Sequence, residues 1–373
     1  MILPLCCSCT VLSPVYASYG KYEITRNMYE YWIAYYKSVM ISEYEIDESQ
    51  YDNVWSQSVD GKTTLEQNIT DYVDSMVDDM LICAELFDQL GLSKNAAIKK
   101  QMNEVIDELI NNDIKAASSL SALNGILGNY GMNKDTLRKA IEFEVKTSIV
   151  TNKLFGEGGD HAVTDGEREQ YYQQNYRRIK QIGVFNTEKY VFDENGDPKI
   201  DIYTGRYMTQ ELTEEEKEEK NKLAADIYER VKNGEDFEAL LDKYNEDSIM
   251  LAFPDGLYVS TDSYYFAYGE YYYVYETPYL ASALTLQPGE TSLVEVSDGY
   301  YIIKSYPLDA GMWQNENNSP FFSEMEANII SQKKPEVFGD KYAKITRDNE
   351  YRQSFKITDI APLDSSLIYT SEQ

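Results

Sequence analysis

The chain has one histidine in 373 residues, His161. That scarcity removes several chemistries at once. Multi-histidine metal sites are excluded, and a Ser-His-Asp or Cys-His arrangement would have to use this single imidazole. His161 lies in Gly-Gly-Asp-His, between a helical segment and a helix cap at Thr164, and reads as a solvated linker residue. Positive charge is scarce as well. Asp and Glu number 64 against 34 Lys and Arg, a formal net charge of −30. Such a polyanion is repelled by phosphate backbones and anionic headgroups, which argues against nucleic acid as a partner. Basic partners are favoured instead, nascent or unfolded cationic chains among them. Cysteine occurs only at Cys6, Cys7, Cys9 and Cys83, so no disulfide framework is implied. Cys83, among Met80, Leu81, Ala84 and Phe87, reads as a buried thiol.

What is present describes a folded protein: 43% hydrophobic residues, 13% aromatic, and 34 tyrosines. The length suggests two or three domains with a substantial core. Met1 to Thr10 is apolar and small, with no positive charge before Lys21. This looks like the tail of a secretion signal without its basic start. Leu5-Cys6-Cys7-Ser8-Cys9 resembles a bacterial lipobox, and Cys9, preceded by the small Ser8, is the expected acylation site. A Cys-Cys-x-Cys metal site is the rival reading, disfavoured because no further ligand cluster exists. No metal or cofactor is expected.

Helical periodicity predicts a long helix over Ile24 to Tyr44 and another from Thr64 to Leu90, with Ile69, Tyr72, Val73, Met76, Met80, Leu81, Ala84 and Phe87 on one stripe. Gly91 ends it and Ser93 caps the next, which carries Met102, Val105, Ile106, Leu109 and Ile110. Leu137, Ile141, Val145 and Ile149 make a further stripe after the Gly128 to Gly131 turn. The succession predicts an all-helical lobe. Beyond the glycine-rich break at Gly156 to Asp160, Thr164-Asp165-Gly166-Glu167 reads as a capping box for a helix ending near Asn175. Ile179 to Phe185 follows as a strand, and Asp193 to Asp197 reads as a hairpin tip. A charged helix spans Leu212 to Asn233. Ser319 to Lys333 returns to helix, Pro335 interrupts it, and Phe355, Ile357 and Ile360 read as a short final strand.

From Gly234 to Lys304 the chain carries an ordered set of turns and edges. Gly234, Asp236 and Phe237 open a short helix that ends in Tyr244 to Ser248. Asp255 to Tyr258 follows, then a small-residue helix closed by Leu286 to Ser292, and a strand Gly299 to Lys304. This order resembles a parvulin-type prolyl isomerase domain. The wider arrangement, an exported helical lobe interrupted by such a domain, resembles the PrsA/SurA-like family of extracytoplasmic foldases. The resemblance implies an α+β fold: a helical chaperone lobe of N-terminal and C-terminal helices with an inserted parvulin-like α/β domain. On that pattern, 1–20 is a signal remnant and linker, 21–175 the N-terminal helical domain, 176–306 the parvulin-like domain, and 307–373 the returning helices. It also implies export, a lipid anchor on the extracytoplasmic face of the cell membrane, and unfolded or nascent exported polypeptides as clients. A homodimer stays open.

In parvulins the polar floor is two histidines facing each other from the first and last strands, beside a Cys or Asp, with a Met and a Phe seating the proline ring. Carried over by position, the histidines fall at Gln181 and Tyr301, the acid at Asp247, the aromatic seat at Tyr279, and the methionine at Tyr275. Gln181 and Tyr301 can hydrogen-bond across a floor but cannot take up a proton near neutral pH. Isomerase activity is therefore left open. Asp247 also reads as a plain helix C-terminal acid, although an acid there opposes the helix dipole. Eight tyrosines crowd Tyr264 to Tyr279, read either as a half-exposed hairpin packing on itself or as an amphipathic surface for extended peptides. The leading expectation is a lipid-anchored foldase with a divergent proline site. The alternatives are a non-catalytic holdase or assembly factor, and a solute-binding lipoprotein, which would need two α/β lobes where the sequence offers one.

Overall fold

The computed structural model describes residues 13–43, 46–47, 51–58, 62–195, 198–201, 207–260, 265–268, 271–274, 277–314 and 319–368. The fold is α+β. Its contacts divide the chain into a mainly helical unit, Met1–Ala162 with Lys334–Gln373, and an inserted α/β unit, Val163–Lys333.

The helical unit opens with two short strands ahead of the helix expected from Ile24, which starts at Arg26. Val15–Tyr19 (β1) and Tyr22–Thr25 (β2) pair antiparallel around Gly20, whose φ of +59° suits a residue without Cβ. Thr346–Arg347 (β11) adds to the other edge of β1, so sequence near the two ends shares one sheet. The helices are α1 (Arg26–Glu43), α2 (Tyr51–Val54), α3 (Leu65–Gln89), α4 (Ala96–Ala116), α5 (Leu120–Gly128) and α6 (Lys134–Phe155). Thr64 and Gln67 form a reciprocal capping box at the start of α3, which buries Ile69, Val73, Met80, Leu81, Ala84 and Phe87 while Tyr72 stays exposed. Cys83 is fully buried, and burial pushes its thiol up to about 12. The cap of α4 is Asn95, which accepts from the Ala97 and Ile98 amides; Ser93 instead lies in a short 3₁₀ turn, Leu92–Lys94.

The C-terminal segment is tied into this unit through polar contacts. Lys37 of α1 is buried and donates to the Ile357 and Ile360 carbonyls at 2.9 and 2.7 Å. Asp74 of α3 accepts from Arg352 Nε at 2.7 Å and from the Tyr16 hydroxyl, and Arg347 lies 3.4 Å away. One helical turn on, Asp78 pairs with Arg347, while Asp79 takes Lys334 and the Tyr342 hydroxyl, each at 2.7 Å. The final stretch is thus anchored by carbonyls and ion pairs and forms a 3₁₀ turn at Ile357–Asp359, not a strand. His161 is exposed, as a linker histidine should be.

In the α/β unit, α7 (Asp165–Asn175), capped by Thr164 and Glu167, runs into β3 (Tyr176–Phe185). The polar insertion forms a two-stranded pair, β4 (Glu188–Tyr190) with β5 (Thr209–Glu211). Then come α8 (Glu214–Lys232), α9 (Phe237–Tyr244), α10 (Ile249–Ala252) and β6 (Leu257–Ser260). The tyrosine-rich stretch forms a hairpin of β7 (Tyr265–Tyr268) and β8 (Tyr271–Val274), followed by α11 (Thr277–Thr285), β9 (Thr291–Val296) and β10 (Gly299–Tyr306). The main sheet is antiparallel in the order β6-β3-β10-β9. Strand alternation splits its residues between two layers. Ile182, Val184 and Ile302 pack on Ala224 and Ile227 of α8 and on Phe237 and Leu240 of α9. Ile179, Tyr301 and Ile303 pack on Met250 of α10 and on Tyr279, Leu280 and Ala283 of α11.

The division between units falls at 162/163 and inside α12 (Ser319–Phe338), not at 175/176 and 306/307. The physical reason is an aromatic cluster: Tyr171 and Tyr172 of α7 and Tyr176 of β3 bury against Phe322, Met325 and Ile329. Helix after Ser319 therefore packs first within the α/β unit. Nor does Pro335 interrupt it, since α12 continues through that residue to Phe338. Among the described residues, no helix is long and apolar enough to cross a membrane.

Candidate functional site

Four of the residues singled out by sequence meet on one face of the main sheet. The β3–β10 register sets Gln181 opposite Ile303 and Tyr301 opposite Gly183. Gln181 and Tyr301 are therefore diagonal neighbours on the same face, not directly opposed as the two-histidine arrangement would have them. Gly183 makes the approach possible. A Cβ there would stand 3.0 Å from Asp247 Cβ, 3.1 Å from Phe185 Cζ and 3.3 Å from Tyr301 Cε1. The Tyr301 ring lies over this gap, edge-on to Tyr279 at 5.1 Å and to Phe185 at 5.9 Å between centroids.

The loop after α9 brings Asp247 in. β6 pairs with β3 only over Tyr176 to Ile179, and among the described residues no strand lies beside the remaining edge of β3. Side chains and backbone of the loop take its place. The Gly183 amide donates to Asn245 Oδ1 at 2.8 Å, the Glu246 amide donates to the Gly183 carbonyl at 2.9 Å, and the Phe185 amide donates to Glu246 Oε2 at 2.8 Å. Asn245 also grips its own turn, donating from Nδ2 to the Asp247 carbonyl at 2.6 Å. Asp247 is not a C-terminal helix acid. It precedes α10, where its Oδ1 accepts from the Ile249 amide at 2.9 Å, a position that suits a negative charge.

These placements close into a chain of hydrogen bonds. Gln181 Nε2 donates to Asp247 Oδ2, and the Tyr279 hydroxyl donates to Gln181 Oε1. The orientation of the amide follows from chemistry. A carboxylate only accepts, so the NH₂ must face Asp247 and the carbonyl is left for the phenol. All four side chains are removed from solvent: Gln181 is 0% exposed, Tyr279 1%, Tyr301 3% and Asp247 8%. A buried polar group costs free energy unless paired, and here each end of the Gln181 amide is satisfied from inside the protein. The arrangement holds no imidazole and no activated nucleophile. Among the described residues, no group of three or more His, Cys, Asp or Glu could hold a metal ion. Tyr275 and Cys9, the remaining expected site residues, lie outside the described residues.

Asn245 and Gly183 were not singled out from sequence. Gly183 did carry a signal, because a glycine inside an apolar strand marks a close approach of backbone to another group. Asn245 carried only a weak one, as the residue just beyond a short helix.

No family model matches the chain. Among curated proteins it is similar to the foldase protein PrsA of Caldanaerobacter subterraneus subsp. tengcongensis, 23% identical over 310 residues that cover 81% of this chain and 76% of the relative. Among solved structures it is similar to PrsA from Bacillus cereus, at 18% identity over 82% of this chain and 90% of that one, with a TM-score of 0.28. PrsA from Bacillus anthracis gives 18% identity over 70% and 97%, with a TM-score of 0.23. A SurA-like chaperone of Campylobacter jejuni gives 11% identity over 78% and 92%, with a TM-score of 0.21. Superpositions that low carry no weight, so the assignment rests on the long match in sequence and the ordered motifs from Gly234 to Lys304. On that footing the chain resembles the PrsA/SurA-like foldase family.

Proposed function

We propose that this protein is an extracytoplasmic foldase-type chaperone, lipid-anchored through Cys9, whose parvulin-like proline site is occupied by its own side chains. The helical unit serves as the chaperone cradle in this reading, and unfolded exported polypeptides are the clients. The curated foldase relative supports the chaperone role, and the net charge of −30 suits cationic clients.

The observation that carries the closed-site reading is the buried chain from Tyr279 through Gln181 to Asp247. Prolyl rotation has a barrier of roughly 18–20 kcal/mol because resonance holds the amide planar. A pocket lowers it by binding the twisted amide better than either planar form. That requires an apolar seat for the ring and polar groups free to follow the turning carbonyl. Here the Gln181 amide is already bonded at both ends, and the Tyr279 and Tyr301 rings fill the face above it. Admitting a proline means withdrawing Tyr279 and orphaning a buried carbonyl, at about 1–3 kcal/mol. The same geometry favours the holdase alternative over an efficient isomerase.

The test is Xaa-Pro isomerisation by the full chain, followed from pH 5 to 8. The expected rate is close to that of the uncatalysed peptide, with no titration in that range. The double variant Gln181→His, Tyr301→His should raise it and introduce a titration near the histidine pKa of about 6.5. Turnover by the unaltered protein comparable to that of the double variant would exclude the closed-site reading.

A further inference from the structure

We propose that two adjoining grooves beside the closed site form a landing surface for extended segments of unfolded polypeptide that carry apolar and basic side chains together. This rests on the foldase reading above and deepens it by naming the client chemistry. The first groove, about 460 Å³, is bordered by α9, the Asn245 to Ser248 turn, α10 and Tyr190 of β4. The second, about 520 Å³, lies between the β4–β5 pair and Phe185, Lys220 and Asp298. Tyr190 and Glu246 line both, so the two meet. Each volume falls in the roughly 300–1,000 Å³ range of ligand sites.

Apolar side chains stand in solvent along this path: Leu251 is 84% exposed, Phe192 54% and Tyr190 52%. A single exposed apolar residue needs no explanation, but three bordering joined grooves make a patch of the kind that marks an interaction site. The charge around them is net negative. Glu238, Asp242 and Glu246 face the first groove against Lys180 alone, which pairs with Glu238 at 2.9 Å. The second groove's cations are engaged as well, Lys189 with Glu216 and Lys220 with Glu246. An occupant must therefore bring apolar side chains and positive charge. A second copy of this chain, also at −30, would meet like charge and is disfavoured. An acidic client segment is disfavoured for the same reason. Continuity across two open troughs fits an extended chain better than a compact small molecule.

The test uses the full chain and proline-free fluorescent peptides, so that the Gln181 site plays no part. One peptide alternates Leu and Lys, a second Leu and Glu, a third Ser and Lys. The Leu/Lys peptide alone should bind, more weakly as salt is added. Leu251→Asp and Asp242→Lys, both at exposed positions where folding is not at stake, should each weaken it about tenfold. Equal binding of the Leu/Glu peptide, or variants that bind like the unaltered protein, would overturn the proposal. Suppression of aggregation of a denatured client, measured on the same samples, separates the two readings. Suppression without groove dependence leaves the foldase reading standing and removes the groove. Groove-dependent peptide binding without suppression does the reverse.

Discussion

In the helical unit the most connected buried polar groups are charged and engage partners far away in sequence. Asp74 takes Arg352 and Tyr16 with Arg347 nearby, and Lys37 caps two carbonyls of the C-terminal segment. In the α/β unit one sheet face buries a different set, a glutamine, two phenols and a carboxylate. The first cluster holds distant segments together, because each charge it buries would be costly without its partner. In the proposed reading the second takes the place of a parvulin's reactive floor, and its hydrogen bonds close without any ligand. On that reading, a catalytic face becomes ordinary core when groups that must stay free are replaced by groups that can bond to one another.

The comparison is broken most forcefully at Asp74. Asp74→Ala leaves the Arg352 and Arg347 guanidinium groups without it and should cost about 3 kcal/mol, the low end for a buried pair because both arginines keep some solvent. Urea denaturation should show the midpoint of the helical unit falling at constant slope. An unchanged midpoint would mean that the charged cluster contributes little.

Next in size is a pH effect confined to the helical unit. Burial pushes the Glu144 carboxyl up from its usual 4.5 to about 7, against the opposing hydrogen bond from the Trp32 indole and with Asp113 adding to the rise. The unfolded chain ionises first. Between about 4.5 and 7 the folded state holds a proton that the unfolded state has lost, so stability should fall as pH rises through that window and level off above it. Glu144→Gln should flatten the decline and stabilise the unit at pH 8 by about 2 kcal/mol. Thermal melts of both proteins across that range measure it, and parallel curves would refute it.

The smallest effect lies at the sheet. Gly183→Ala places a methyl group against Asp247, Phe185 and Tyr301, and should cost about 1–2 kcal/mol of overpacking in the α/β unit. Denaturation of that unit reads the loss. No change would show that the face above Gly183 is looser than the contacts indicate.

How much of this was legible in advance divides along the same physical line. Local signals were readable: the capping box at Thr164, the α3 stripe, and β10 as an apolar run after a glycine. Features fixed by distant partners were not. β1 and β2 are short, and β1 gains a second neighbour only when β11 arrives from more than three hundred residues away. Ile357 reads as strand by composition but is held in a 3₁₀ turn by the C-terminal anchoring. Gln181, Asp247, Tyr279 and Tyr301 could be placed by resemblance. Their mutual bonding could not, because register and the path of the Asn245 to Asp247 loop are tertiary facts. The division inside α12 escaped for the same reason, resting on aromatic contacts among Tyr172, Tyr176 and Phe322.

The central claim, that the ancestral floor is closed from within, is tested most directly at the Gln181 side-chain amide. Its Nε2 protons, assigned by NMR in the full chain, should exchange slowly with solvent because they are buried against Asp247. Saturating Xaa-Pro peptide should leave both their exchange and their shifts unchanged. Rapid exchange in the free protein, or a shift of those protons on peptide addition, would show a floor open to solvent and substrate and would contradict the account.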